Sequence, residues 1–161
     1  MSVLPDPLHP ALVHFPIALI FVALLFEALS RTRRWRALDS AAVFLIVLAA
    51  VGSVAAFVTG KLAYEEVVVP PAGRQLLEQH ESFGVLVMVG MLLLAGARLL
   101  LARGDRHSGP LNWLYLGVLA LAAALVTYQA HLGGRLVYDH GVGTAPSLSK
   151  PIPPPESSHL S

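Results

Sequence analysis

Imidazole side chains are the groups in this chain best suited to chemistry, and five of the seven gather toward the ends of apolar stretches. His14, His80 and His131 fall near those ends, and His9 and His140 lie just beyond. Ionisable groups are costly to desolvate at a membrane boundary, so several at one level call for a function. Haem b is the sharpest candidate: two imidazoles on different helices hold the iron while apolar neighbours exclude water and tune its potential. At ~1.5 Å of rise per residue, His14 and His80 each stand within about one turn of the boundary, which makes them the preferred axial pair. His131 is the reserve: it could ligate in place of either, serve a second site, or hydrogen-bond to the cofactor. A zinc or copper site is the alternative, with His9, His14, His80 and His131 supplying three or four imidazoles. Their spacing matches no recognised metal signature, and five residues separate His9 from His14 by ~140° around an ideal helix. The plainest reading has these imidazoles capping helix ends or binding carbonyls that proline sets free.

Neighbouring residues fit either chemistry. Ala18 and Gly84 follow His14 and His80 by four positions, on the same helix face, and leave room for a flat macrocycle or a close-packed helix. Lys61 and Arg135 stand where haem propionates would emerge, or snorkel at an interface. Gln79 and Glu81 flank His80 and could orient its second ring nitrogen. Glu27 and Arg31 form an i,i+4 pair with a structural role, and Tyr64 and Tyr138 read as interfacial anchors. Phosphate loops, nucleophile elbows and zinc-protease motifs are absent, and nothing points to nucleic acid.

Four long helices must position these groups. Of the 161 residues 55 % are apolar and only 13 % charged, against about 25 % charged in soluble proteins. The excess sits in four stretches, about 8–29, 40–58, 80–102 and 111–131, each near the ~20 residues that span a hydrocarbon core. We therefore expect an all-α integral membrane four-helix bundle over residues 1–143. Residues 144–161, rich in Pro and Ser, are expected to be a disordered tail. The first stretch has no basic region before it and no clear cleavage site after it, so it is kept as helix 1 rather than a signal peptide. Pro10 suits a first helical turn, whereas Pro16 should kink helix 1 below His14. Residues 59–79, broken at Pro70-Pro71, form the one sizeable connection. Cysteine is absent, which excludes disulfides, thiolate-held iron–sulfur clusters and covalent haem within the chain.

Orientation follows from the basic residues. Arg31, Arg33, Arg34 and Arg36 fill one short loop, and Arg103 and Arg106 the other, with Arg98 nearby. The opposite side carries Lys61, Arg74, Arg135 and Lys150, accompanied by Glu65, Glu66, Glu78 and Asp139. The imbalance puts both loops inside and both termini outside; in a bacterial inner (cytoplasmic) membrane the histidines then face the periplasm. Few charges fall within the apolar stretches, which argues against ion pumping.

Gly60-Lys61-Leu62-Ala63-Tyr64-Glu65 and Gly134-Arg135-Leu136-Val137-Tyr138-Asp139 close the two outward-running helices alike, and their partners each open on a histidine, His14 and His80. This reads as a tandem pair of hairpins related by a pseudo-twofold axis along the membrane normal. The opening Leu8-His9-Pro10-Ala11-Leu12-Val13-His14-Phe15-Pro16-Ile17-Ala18-Leu19 and the closing Leu132-Gly133-Gly134-Arg135-Leu136-Val137-Tyr138-Asp139-His140-Gly141-Val142-Gly143 resemble a bacterial family of small four-helix membrane proteins, catalogued as a domain of unknown function. The resemblance covers about residues 8–143. Some members are joined to Rieske-type or cytochrome c domains, which implies electron transfer and favours haem b over a bare metal ion. With no such domain here, a quinone or a separate periplasmic redox protein would be the partner. The expected function is a b-type haem electron-transfer module near the periplasmic face. The alternatives are a histidine zinc or copper module, or a cofactor-free structural subunit of a homo-oligomer or larger membrane complex.

Overall fold

A computed structural model describes residues 8–66, 69–103 and 109–143. Four helices run up and down: α1 (Leu8–Ser30), α2 (Leu38–Glu66), α3 (Arg74–Ala102) and α4 (Pro110–Tyr138). Single 3-10 turns, Arg33–Trp35 and Pro71–Gly73, lead into α2 and α3. All four helices are long and apolar enough to cross a membrane. The expected tail, with Lys150 in it, and Arg106 lie outside the described residues.

The helices outrun their apolar stretches. α2 and α4 each have 29 residues, about 43 Å at 1.5 Å per residue, against ~30 Å of hydrocarbon. Hydropathy marks the membrane-spanning part, while the backbone stays helical for one or two turns past it. Most of the expected 59–79 connection is therefore helix, and α3 starts at Arg74 rather than near residue 80. The break falls at Pro70-Pro71, since Pro71 opens the 3-10 turn from a position whose N–H is not needed. Pro110 opens α4 in the same way. α1 continues through Pro16, whose ring rests where a Cβ on Gly52 of α2 would come within 3.4 Å.

Small residues let the helices approach. Ala23, Ala49, Ala50, Ala95 and Ala123 stand in the core beside Ile20, Ile46, Met91 and Leu119, as expected where packing rather than the hydrophobic effect holds helices together in lipid. The large exposed side chains, Phe44, Leu93, Leu100 and Leu114 among them, cover the outside of the bundle. Trp35 and Trp113 are exposed at one end, Tyr64 and Tyr138 at the other, the positions interfacial aromatics take.

The pseudo-twofold is written in the buried positions. On α1, His9, Ile20, Ala23 and Glu27 correspond to His80, Met91, Leu94 and Arg98 on α3, each pair 71 residues apart. On α2, Asp39, Ala42, Ile46, Ala50, Ser53, Ala56 and Gly60 correspond to Asn112, Tyr115, Leu119, Ala123, Val126, Gln129 and Gly133 on α4, each pair 73 apart. The expected hairpin repeat is there, in a different register. His80 matches His9 rather than His14, and Gly60 matches Gly133 rather than Gly134.

Candidate functional site

On the helices, each described histidine's place follows from helix phase. His9 and Glu27 are separated by 18 residues, five turns at 3.6 residues per turn, so His9 shares the buried face of α1. His80 and Arg98 repeat that relation on α3. His14 is out of phase and exposed, its Nδ1 bonded to Pro10 O at 2.7 Å within its own helix. His131 is exposed on α4 and Ala18 on α1. His14 and His80, the pair preferred from the sequence, are therefore not brought face to face.

Three histidines are built into the packing, each against a glycine. His9 donates from Nδ1 to Ala56 O at 2.8 Å, and its Cε1 lies 2.9 Å from where a Cβ on Gly60 would stand. His80 lies on α4 in the equivalent way, its Cε1 3.1 Å from the Cβ position of Gly133. His140 covers Gly73, 3.2 Å from its Cβ position. A Cβ at any of these glycines would push a ring aside. His9 and His80 are close enough to feel each other's charge.

The second hairpin differs from the first beside its histidine. Where α1 and α2 carry Val13 and Ala56, α3 and α4 carry Gly84 and Gln129, so small and large residues change sides. Gly84 makes the slot for the Gln129 amide, whose Nε2 donates to His80 O at 2.9 Å and lies 3.4 Å from His80 Nε2. Two buried atoms remain without a hydrogen-bond partner there, His80 Nδ1 and Gln129 Oε1. The cations expected at haem propionates have carboxylate partners: Lys61 pairs with Glu81, and Arg135 bonds Asp139 at 3.1 Å. Glu81 thus binds a lysine rather than orienting His80. Among the described residues, no three His, Asp or Glu side chains gather as a metal ion would need.

The opposite end holds a charged cluster of which the sequence reading found only the Glu27–Arg31 pair. Glu27, 0 % exposed, accepts from Arg98 Nε at 2.9 Å and from Arg31. Arg98, 3 % exposed, reaches on to Asp39 of α2. Tyr115 and Asn112 of α4 are buried in the same stretch of the bundle, and Tyr115 lies within electrostatic reach of Glu27, Arg98 and Arg31. The Glu27–Arg31 pair read from i,i+4 spacing is present. Arg98, counted from sequence as a loop cation, is instead the buried centre that joins three helices. The expected shortage of charge thus holds in the middle of the bundle and fails at this end.

The two sequence segments that carry the family resemblance meet at the histidine end. The first provides His9, Pro10 and Pro16; the second provides Gly133 beneath His80, His140 over Gly73, and the turn that ends α4. In that turn Gly141 takes φ 66° and donates to Val137 O at 3.0 Å, a left-handed cap that glycine adopts without strain. Val142 then packs against the cluster of Leu76, Leu132 and Leu136. The model of the family described as "Predicted membrane protein (DUF2231)" matches residues 5–146. The chain belongs to the DUF2231 family. No curated protein and no solved structure matches it. The DUF2231 match takes in all four helices and the Gly141 turn, so both polar ends of the bundle fall within the family domain.

Proposed function

We propose that this DUF2231 protein is a b-type electron-transfer module whose histidine end holds haem b, with His9 and His80 as the iron's two ligands. The carrying observation is that these half-buried imidazoles occupy matching positions of α1 and α3, each with a ring nitrogen to spare. His9 commits Nδ1 to a backbone carbonyl and keeps Nε2 available, the usual arrangement of a ligating histidine. His80 keeps a buried Nδ1 with no partner. Haem b would supply a one-electron iron couple at that level. The chain's own part is to fix the two rings through Ala56, Gly60, Gln129 and Gly133, and to surround them with lipid-facing helices that keep water out. Relative to the sequence reading, the second ligand moves from His14 to His9. The arginine-rich short loops favour a bacterial inner membrane with both termini outside, which would set this end beside periplasmic redox proteins and membrane quinone.

The test is an optical spectrum of the detergent-purified protein from haem-sufficient cells, oxidised and then dithionite-reduced. A Soret band with sharp reduced α and β bands, lost in His9→Ala and in His80→Ala but kept in His14→Ala and His131→Ala, is the expected result. Loss with His14→Ala and not His9→Ala would return the ligand role to His14. Stoichiometric zinc or copper without a Soret band would replace haem by the metal reading. A protein that stays colourless after haem reconstitution and carries no metal would be an accessory subunit. The His–Gly contacts and the Glu27–Arg98 ion pair favour this accessory reading, because both brace the bundle without any ligand.

A further inference from the structure

The two hairpins share a core but not a surface. At the histidine end α3 and α4 part to form an open cleft of about 520 Å³, lined by Gln75, Glu78, Gln79, Ser82, Phe83, Tyr128 and Leu132. That volume is in the range of small-molecule sites, roughly 300–1,000 Å³. The symmetry-related positions of the first hairpin, among them Leu8, Ala11, Leu12, Ala55 and Thr59, are small or aliphatic except for Thr59, and α1 and α2 pack more extensively than α3 and α4 do. Phe83 also packs on the Leu76, Leu132 and Leu136 cluster, but a departure from an internal repeat that exchanges Leu and Ala for amides and hydroxyls adds exposed polar groups that packing does not require, and points to a ligand.

We infer that this cleft binds the ring of a membrane quinone, a substrate class that rests on the electron-transfer reading for its purpose though not for its binding. The ligand must be amphipathic, because the cleft opens on the surface of a membrane bundle within the first three turns of α3. Phe83 and Tyr128 stand edge to face with centroids 5.1 Å apart, an aromatic wall against which a flat ring can pack. Gln75, Gln79, Ser82 and Tyr128 offer neutral donors, the complement of quinone carbonyl oxygens. The lining has no cation, and its one charge is the Glu78 carboxylate, which disfavours a phosphate headgroup. Leu132, 3 % exposed, closes the floor. Gln79 and Phe83 lie within a turn of His80 along α3, so a ring bound here sits beside the stretch of helix that carries His80.

Full-length protein in phosphatidylcholine nanodiscs, titrated with decylubiquinone against empty discs, tests this. The expected result is saturable one-to-one binding that weakens about tenfold or more in Ser82→Leu and in Tyr128→Ala. Ser82 is exposed, so its replacement leaves the fold intact even if Tyr128→Ala loosens the aromatic pair. Absence of saturable uptake, or binding that neither variant alters, overturns the proposal. So does competitive displacement by phosphatidylethanolamine or phosphatidylglycerol, which would make the cleft a lipid headgroup site. A colourless protein that still binds decylubiquinone refutes haem and leaves the cleft standing; a red protein that does not bind it does the reverse.

Discussion

Replacing Arg98 by methionine should be among the most damaging single changes in the bundle. Glu27 is fully buried and Arg98 nearly so, so neither charge is screened by water. Methionine keeps the volume of the arginine stem but removes the donor at 2.9 Å to Glu27 and the contact to Asp39. Arg31 still pairs with Glu27, which spares part of the penalty. Breaking a buried pair by removing one partner costs about 3–5 kcal/mol, and we expect Arg98→Met toward the lower end, about 3 kcal/mol. Adding Glu27→Gln should recover little of this, since it leaves Arg31, whose side chain is 8 % exposed, without its carboxylate partner. As a control, Arg135→Met removes an exposed pair and should cost no more than about 1 kcal/mol. Unfolding in mixed micelles by titration with sodium dodecyl sulfate, followed by circular dichroism, measures all three. If Arg98→Met matched Arg135→Met, the arginine end would be a hydrated surface cluster and the buried-pair reasoning would fail.

Glycine substitutions separate the histidine contacts from ordinary helix packing. Gly90→Ala and Gly96→Ala meet no atom within 4 Å and should stabilise by up to about 1 kcal/mol through helix propensity; Gly60→Ala drives a Cβ to 2.9 Å from the His9 ring and should destabilise in the same unfolding assay. Gly141→Ala imposes a side chain at φ 66°, at about 1–2 kcal/mol. It should release the Val142 turn first, seen as faster amide hydrogen exchange in Leu132–Val142 with the middle of α4 unchanged.

The four membrane-length helices and the existence of a repeat were legible from sequence because they rest on composition and on motifs at helix ends. The register of the repeat and the inward-facing histidines were not. A helix apolar on all sides carries almost no amphipathic signal, so nothing in α1 says which of His9 and His14 faces in. The readable clue was Glu27: a charge deep in an apolar helix must face protein rather than lipid, and the residue five turns earlier is His9. Reading Glu27 only with Arg31, its sequence neighbour, hid the partner on α3. Lys61 was likewise judged by position alone, while its contact with Glu81 depends on how α2 meets α3.

The spacing of the two polar ends ties fold to membrane. His9 to Glu27 and His80 to Arg98 each span 18 residues, about 27 Å of helix, which nearly equals the ~30 Å hydrocarbon thickness. Each odd-numbered helix therefore carries one imidazole and one charged group at the two boundaries, on the same face. Across the pseudo-axis like corresponds to like at one end, His9 with His80, but opposite charges meet at the other, Glu27 with Arg98. Two identical hairpins would place Glu27 against Glu27 or Arg98 against Arg98, a repulsion without solvent to relieve it. The charged end can therefore neutralise itself only if the halves differ, whereas two neutral imidazoles can be alike. Divergence at positions 27 and 98 thus specifies which hairpin packs on which, and leaves the histidine end free to keep one imidazole on each half.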